Sequence, residues 1–183
     1  LWTVSTANLV PQEADRMIRL MNDIPGIRRL LDSYLQEAST SIITIAQSIP
    51  QFMEREVRPT LVIEDPYAIV EGDGDAVTRL FASEVSAQLE AWIEKELSGE
   101  SGRSTLAAWE ALTHNYNTHA KGNNQLNREI EVPIIPLIEV SPVRSITIAM
   151  IRHLITNMTT QEALVRTMAP AYEDPRIILF SAL

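Results

Sequence analysis

Between Pro25 and Pro50 the chain places apolar side chains at Ile27, Leu30, Leu31, Tyr34, Leu35, Ala38, Ile42, Ile45, Ala46 and Ile49. The spacing closes on itself every 3.6 residues, so these side chains line one side of a helix and that side must be buried. A helix from about Gly26 to Ile49 spans roughly 35 Å at 1.5 Å per residue, long enough to act as the spine of a domain. With 183 residues, the chain can bury about 70% of the surface that its unfolded form exposes. A spine of this length therefore has a core to belong to.

The other segments repeat the message. Pro11 with Gln12, Glu13 and Asp15 opens a first helix of about ten residues, whose apolar face is Ala14, Met17, Ile18 and Met21. A short helical piece follows Pro50 through Phe52 and Val57, and Pro59 interrupts it. Residues 60–70, broken at Asp65-Pro66, read as extended or as a short strand. Asp75 is the N-cap candidate for a third helix that carries Val77, Leu80, Phe81, Val85, Leu89, Trp92, Ile93 and Leu97. Ser104 caps a fourth, which fades into a polar, loop-like stretch from Asn115 to Asn127.

Residues 130–140 read as extended, because Pro133 and Pro136 remove backbone donors from any sheet. Ser141-Pro142 starts a fifth helix that is apolar around most of its circumference and is expected to be central or sandwiched. Thr159 and Glu162 have the spacing of a capping box for a sixth, ending by Pro170. The fold class expected is mainly α: about five to six helices packed around a central helix, with two or three short extended segments. It forms a single domain over 1–183, with an extended N-terminal arm (1–10) and an apolar C-terminal tail (176–183). The first residue is Leu1, so the chain reads as processed or as part of a longer polypeptide.

Charge is distributed unevenly. Of the net −9, the stretch 59–102 contributes eight, with two basic against ten acidic residues. That acidity disfavours nucleic acid as a direct specific ligand, and it either solvates a helix face or attracts a basic partner. Arg16, Arg19, Arg28 and Arg29 form the densest basic cluster, but Glu13, Asp15, Asp23 and Asp32 nearly cancel it and no aromatic platform is interleaved for base stacking. Arginines number 13 against two lysines, a skew that suits contacts between proteins. The longest uncharged run, Ala38 to Met53, is too polar and too short to cross a bilayer, so no membrane is expected as a partner.

The motifs of known chemistries fail on specific residues. Cysteine is absent, which removes disulfides, thiolate nucleophiles and cysteine metal sites. Gly99-Glu100-Ser101-Gly102-Arg103 lacks the closing glycine of a serine nucleophile elbow. A calcium loop starting at Glu71 would need glycine where Ala76 stands and glutamate where Ala82 stands. His114 and His119 are five apart, not the four that aims two imidazoles at one zinc ion, and His153 reads as a hydrogen-bonded core or interface histidine. Asn157-Met158-Thr159 fits a glycosylation sequon by chance. No cofactor, metal or catalytic set is therefore expected.

What remains is contact. The function read from the chain is that of a structural or interaction protein acting through helix packing and apolar arms in a larger assembly, most concretely a subunit or processed segment of a viral or phage capsid shell. Its partners are other protein chains, copies of itself or members of that assembly. The interface candidates are Trp2, Val4 and Leu9 in the arm, Ile148 and Ile151 on the fifth helix, and Ile177, Ile178 and Phe180 in the tail. Two alternatives stand beside it. One is a small-ligand or metal-assisted enzyme with a site between helices, drawn from Glu71, Asp73, Asp75 and His114. The other is an acidic adaptor that grips a basic partner with residues 64–100.

Overall fold

The computed structural model describes residues 8–21, 23–70, 72, 74–129 and 133–168. Among them the chain is mainly α, with no strand. The helices are α1 (Gln12–Leu20), α2 (Pro25–Phe52), α3 (Pro66–Val70), α4 (Ala76–Leu80), α5 (Ser86–Ser98), α6 (Arg103–Glu129) and α7 (Val143–Met168). The broadest packing joins α2 to α6 and α5 to α7, and α2 also touches α5 and α7. The stripe that opened the sequence reading is what α2 buries: Ile27, Tyr34, Ala38, Ile42, Ile45, Ala46 and Ile49 are all in the core.

Pro25 is the first residue of α2, where its missing N–H costs nothing. Pro50 was expected to end the helix and does not: α2 runs through it to Phe52 and passes into a π-helical turn at Met53–Val57. Proline breaks a helix by removing one hydrogen bond and crowding the turn before it. Here the packing of Ile49, Phe52, Met53 and Val57 into the core outweighs that loss.

A second π-helical turn, Phe81–Val85, joins α4 to α5 and has a clear physical use. Val77, Phe81, Val85, Leu89, Ile93 and Leu97 recur strictly every four residues, and all are buried. On an ideal α-helix a four-residue step overshoots a full turn by roughly 40°, so such a stripe would wind away from the core. A wider π turn takes back part of that drift and keeps the stripe facing inward.

Three further expectations are corrected. Residues 66–70 form the short helix α3, with proline again at its start, where a strand or extended run was expected. Asn115 to Asn127, expected as loop, is helical throughout as part of α6, where Asn117, Asn124 and Asn127 find backbone partners elsewhere in the fold. The separate sixth helix is absent: α7 runs unbroken through Thr159, whose hydroxyl donates to the Ile155 carbonyl. The extended reading of 133–140 matches a segment that is neither helix nor strand.

Glu162 explains why no break occurs there. Its carboxylate is fully buried and accepts from the Val77 N–H at 2.9 Å, the Thr78 N–H at 2.8 Å and the Thr78 hydroxyl at 2.9 Å. It caps α4 from the far side of the chain, while the local candidate, Asp75, makes no side-chain cap and pairs with Arg79 at 3.3 Å. Arg166, one turn after Glu162, donates to the same carboxylate through Nε and Nη2 and to the Ile69 carbonyl at 2.8 Å. The end of α7 therefore latches both α3 and α4.

Elsewhere, Tyr34 donates to the Leu9 carbonyl at 2.6 Å and packs on Trp109 with ring centroids 4.9 Å apart. Burial pushes the Tyr34 phenol well above its ordinary 10.0, and burial shifts Tyr116 the same way. In the unfolded chain a phenol ionises from about pH 10, whereas the folded one stays protonated. The unfolded state then holds fewer protons, so stability present below that pH is lost as pH rises. Urea unfolding at a series of pH values should show this fall. Tyr34→Phe should flatten it, at a cost near neutrality of about 1 kcal/mol for the lost hydrogen bond.

Candidate interaction surface

Residues 133–140 lie along α6, held by side chains that address their backbone. Asn117 donates to the Ile138 carbonyl at 2.9 Å and accepts from the Ile138 N–H at 2.8 Å. Asn124 does the same to Ile135, at 2.8 and 2.6 Å. A carboxamide can do this because its donor and acceptor sit side by side, matching the N–H and C=O of one residue. Asn127 donates to the Pro133 carbonyl at 3.2 Å, Tyr116 to Pro136 at 3.2 Å, and the Trp109 indole to Val140 at 2.9 Å.

The spacing has a simple origin. Seven residues of helix, from Asn117 to Asn124, rise roughly 10.5 Å. Three residues of extended chain, from Ile138 back to Ile135, cover roughly 9–10 Å. The two repeats match, so one helix face reads an antiparallel extended backbone in steps of three residues.

The segment points its side chains both ways. Ile138 is buried, Ile135 and Leu137 are half-buried, and Ile134 and Val140 are exposed. Leu126, between the two asparagines that hold residues 133 and 135, is also exposed. Leu126 and Ile134 thus expose apolar surface near the end of α6, while Val140 lies at the other end of the segment, beside Trp109. Val62, 74% exposed, lines a cavity of about 600 Å³ together with Leu61, Ile63, Ile69 and Val85, and Tyr67 is 75% exposed. Glu64, Asp65 and Glu84 also line that cavity, which has no lysine or arginine in its wall.

The interface candidates from the sequence separate. Leu9 and Ile151 are buried in the chain's own core, so neither is offered to a partner by the described residues. Leu9 is held there by Tyr34, and Ile151 by the breadth of the α7 core face. Ile148 is half-buried in the wall of a cavity of about 550 Å³ between the start of α1 and α7, with Glu13, Asp15, Arg144 and Arg152 around it. Trp2, Val4, Ile177, Ile178 and Phe180 lie outside the described residues, as do most of the arm (1–10) and all of the tail (176–183).

Of the residues considered for an enzyme site, only Asp75 and His114 are among the described residues. Asp75 pairs with Arg79 on its own helix and His114 is exposed on α6, while Glu71 and Asp73 lie outside the described residues. His153 is half-buried and bonds Asn157 at 2.8 Å, which ties up the asparagine of the sequon on a helix. Among the described residues no group of three or more acidic or histidine side chains could hold a metal ion, and no helix is long and apolar enough to cross a membrane.

The asparagine ladder was missed in the sequence because Asn and Gly were read as loop formers. The available signal was the seven-residue spacing of Asn117 and Asn124, two turns of one helix face, ahead of Pro133-Ile134-Ile135-Pro136. Compared with protein-family models, curated proteins and solved structures, the chain matches none.

Proposed function

We propose that this chain is a structural, protein-binding subunit that packs through apolar surface against other protein chains, copies of itself or members of a larger assembly. A viral or phage capsid shell is the concrete setting, as a subunit or a processed segment. One observation carries the reading: large apolar side chains are left in water, Leu126 with Ile134 near the end of α6, and Val62 in the wall of a cavity, with Tyr67 exposed five residues on. Single exposed apolar residues are ordinary, but grouped ones are the usual mark of a surface that another chain covers.

Sedimentation of the purified full chain across the micromolar range tests this. The expected result is concentration-dependent association that Leu126→Asp with Ile134→Asp weakens. A monomer at every concentration would remove the support for the reading.

A second reading is favoured by the cavity that Val62 lines. Its wall carries Glu64 and Glu84 and lies mostly in the acidic stretch 59–102, so it suits a basic, partly apolar partner segment. Association through this face should weaken as salt rises, whereas association through the α6 patch should not.

A further inference from the structure

We propose that the face of α6 bearing Trp109, Tyr116, Asn117, Asn124 and Asn127 is a groove for an extended peptide. The chain's own residues 133–140 fill it here, and an extended Pro-x-x-Pro segment of another protein chain is the occupant it accepts in trans. The proposal rests on the protein-binding reading above, and its test reads peptide occupancy instead of particle size, so the two can fail separately.

The bonds show what the groove recognises. Every polar contact from Trp109, Tyr116, Asn117, Asn124 and Asn127 to residues 133–140 ends on main chain, so the groove reads an extended backbone and leaves side-chain identity nearly open. The N–H groups it uses belong to Ile135 and Ile138, and the prolines at 133 and 136 have none to offer. In a left-handed extended helix with three residues per turn, positions 133 and 136 share one edge while 135 and 138 share another. Prolines on the first edge hold the segment extended, which lowers the entropy lost on docking, without taking a donor from the second.

Side-chain anchoring centres on Ile138, which is buried, with Ile135 and Leu137 half-buried beside the core, while Ile134, Pro133 and Pro136 face solvent. The seated segment therefore defines the pattern a partner needs, which is Pro-x-x-Pro-x followed by an apolar residue at the Ile138 position. Because the internal segment is tethered at both ends, it competes at an effective concentration of about millimolar. The apparent affinity for an outside peptide is then reduced by the fraction of molecules with the groove empty.

The probe is a fluorescent peptide, Pro-Ile-Ile-Pro-Leu-Ile-Glu-Val with lysines added for solubility, titrated with the full-length chain. Wild type should bind weakly, and Ile138→Ala, which loosens the internal segment and leaves both asparagines in place, should bind about tenfold more tightly. Adding Asn117→Ala and Asn124→Ala should abolish that gain, as should methylating the two peptide nitrogens equivalent to Ile135 and Ile138. No binding to Ile138→Ala, or binding indifferent to the asparagines and to methylation, would overturn the proposal.

Hydrogen exchange on wild type guards against a variant that does not fold. The Ile135 and Ile138 amides should exchange through a local opening well before the core amides of α2. If they exchange only when the whole molecule unfolds, the groove never empties and the proposal fails.

Discussion

Glu162→Ala should lower the unfolding free energy by about 3–5 kcal/mol, the usual consequence of removing one partner from a buried charged pair. The size follows from what is left behind. Glu162 is 0% exposed, and its loss strands the Val77 and Thr78 N–H groups and the Thr78 hydroxyl and takes the counter-charge from Arg166, itself only 17% exposed. The two N–H groups belong to the backbone of α4 and cannot turn to water without moving it. Glu162→Gln keeps an oxygen for one of the two N–H groups, turns an amide donor onto the other and loses the charge that holds Arg166, so it should cost less than alanine, about 1–3 kcal/mol. Urea unfolding measures both. Faster amide exchange at Val77 and Thr78 than in α2 would identify the α3–α4 region as the part that lets go. A loss below about 1 kcal/mol for Glu162→Ala would mean that the latch contributes specificity and not stability.

Gly102→Ala should cost about 3 kcal/mol, at the upper end of what overpacking a tight site usually costs. A Cβ at Gly102 would sit 1.8 Å from the Leu97 carbonyl oxygen and 2.5 Å from its carbon, so the turn between α5 and α6 must open to admit it. That opening does not stay local. The Ser101 carbonyl accepts from Ser41 of α2 at 2.7 Å, and Ser41 in turn accepts from Thr105 of α6 at 2.8 Å, so the strain reaches the main helix pair. Gly122→Ala is the contrasting case. It lies exposed inside α6 with nothing within 4 Å of the added carbon, and alanine there should stabilise by about 0.5–1 kcal/mol. Thermal melts of the two variants should move in opposite directions. Equal and small shifts would show that the turn yields more easily than its contacts imply.

The parts of the fold legible in the sequence are those whose signal is periodic. The stripe from Ile27 to Ile49, the strict four-residue repeat from Val77 to Leu97 and the apolar face of α1 each announce a helix, because burying one face requires that spacing whatever lies opposite. Leu9 and Ile151 mark the limit of the same argument. Sequence shows that an apolar side chain must be covered, but not whether the cover comes from its own chain or another. Both turned out to be covered from within.

Tertiary structure decided everything that depends on a partner far along the chain. Asp75 and the pair Thr159 and Glu162 each had the local spacing of a helix cap, yet α4 is capped by Glu162 across 85 residues, and α7 runs through the site of the expected start. Asn117 and Asn124 carry weak helix propensity, and their amides overcome it by pairing with the backbone of Ile138 and Ile135. A sequence lists donors, acceptors and apolar faces in order, and that order marks the helices whose apolar face is periodic. Which donor meets which acceptor depends on how the helices pack, since a buried polar group must take whatever partner the fold brings within reach.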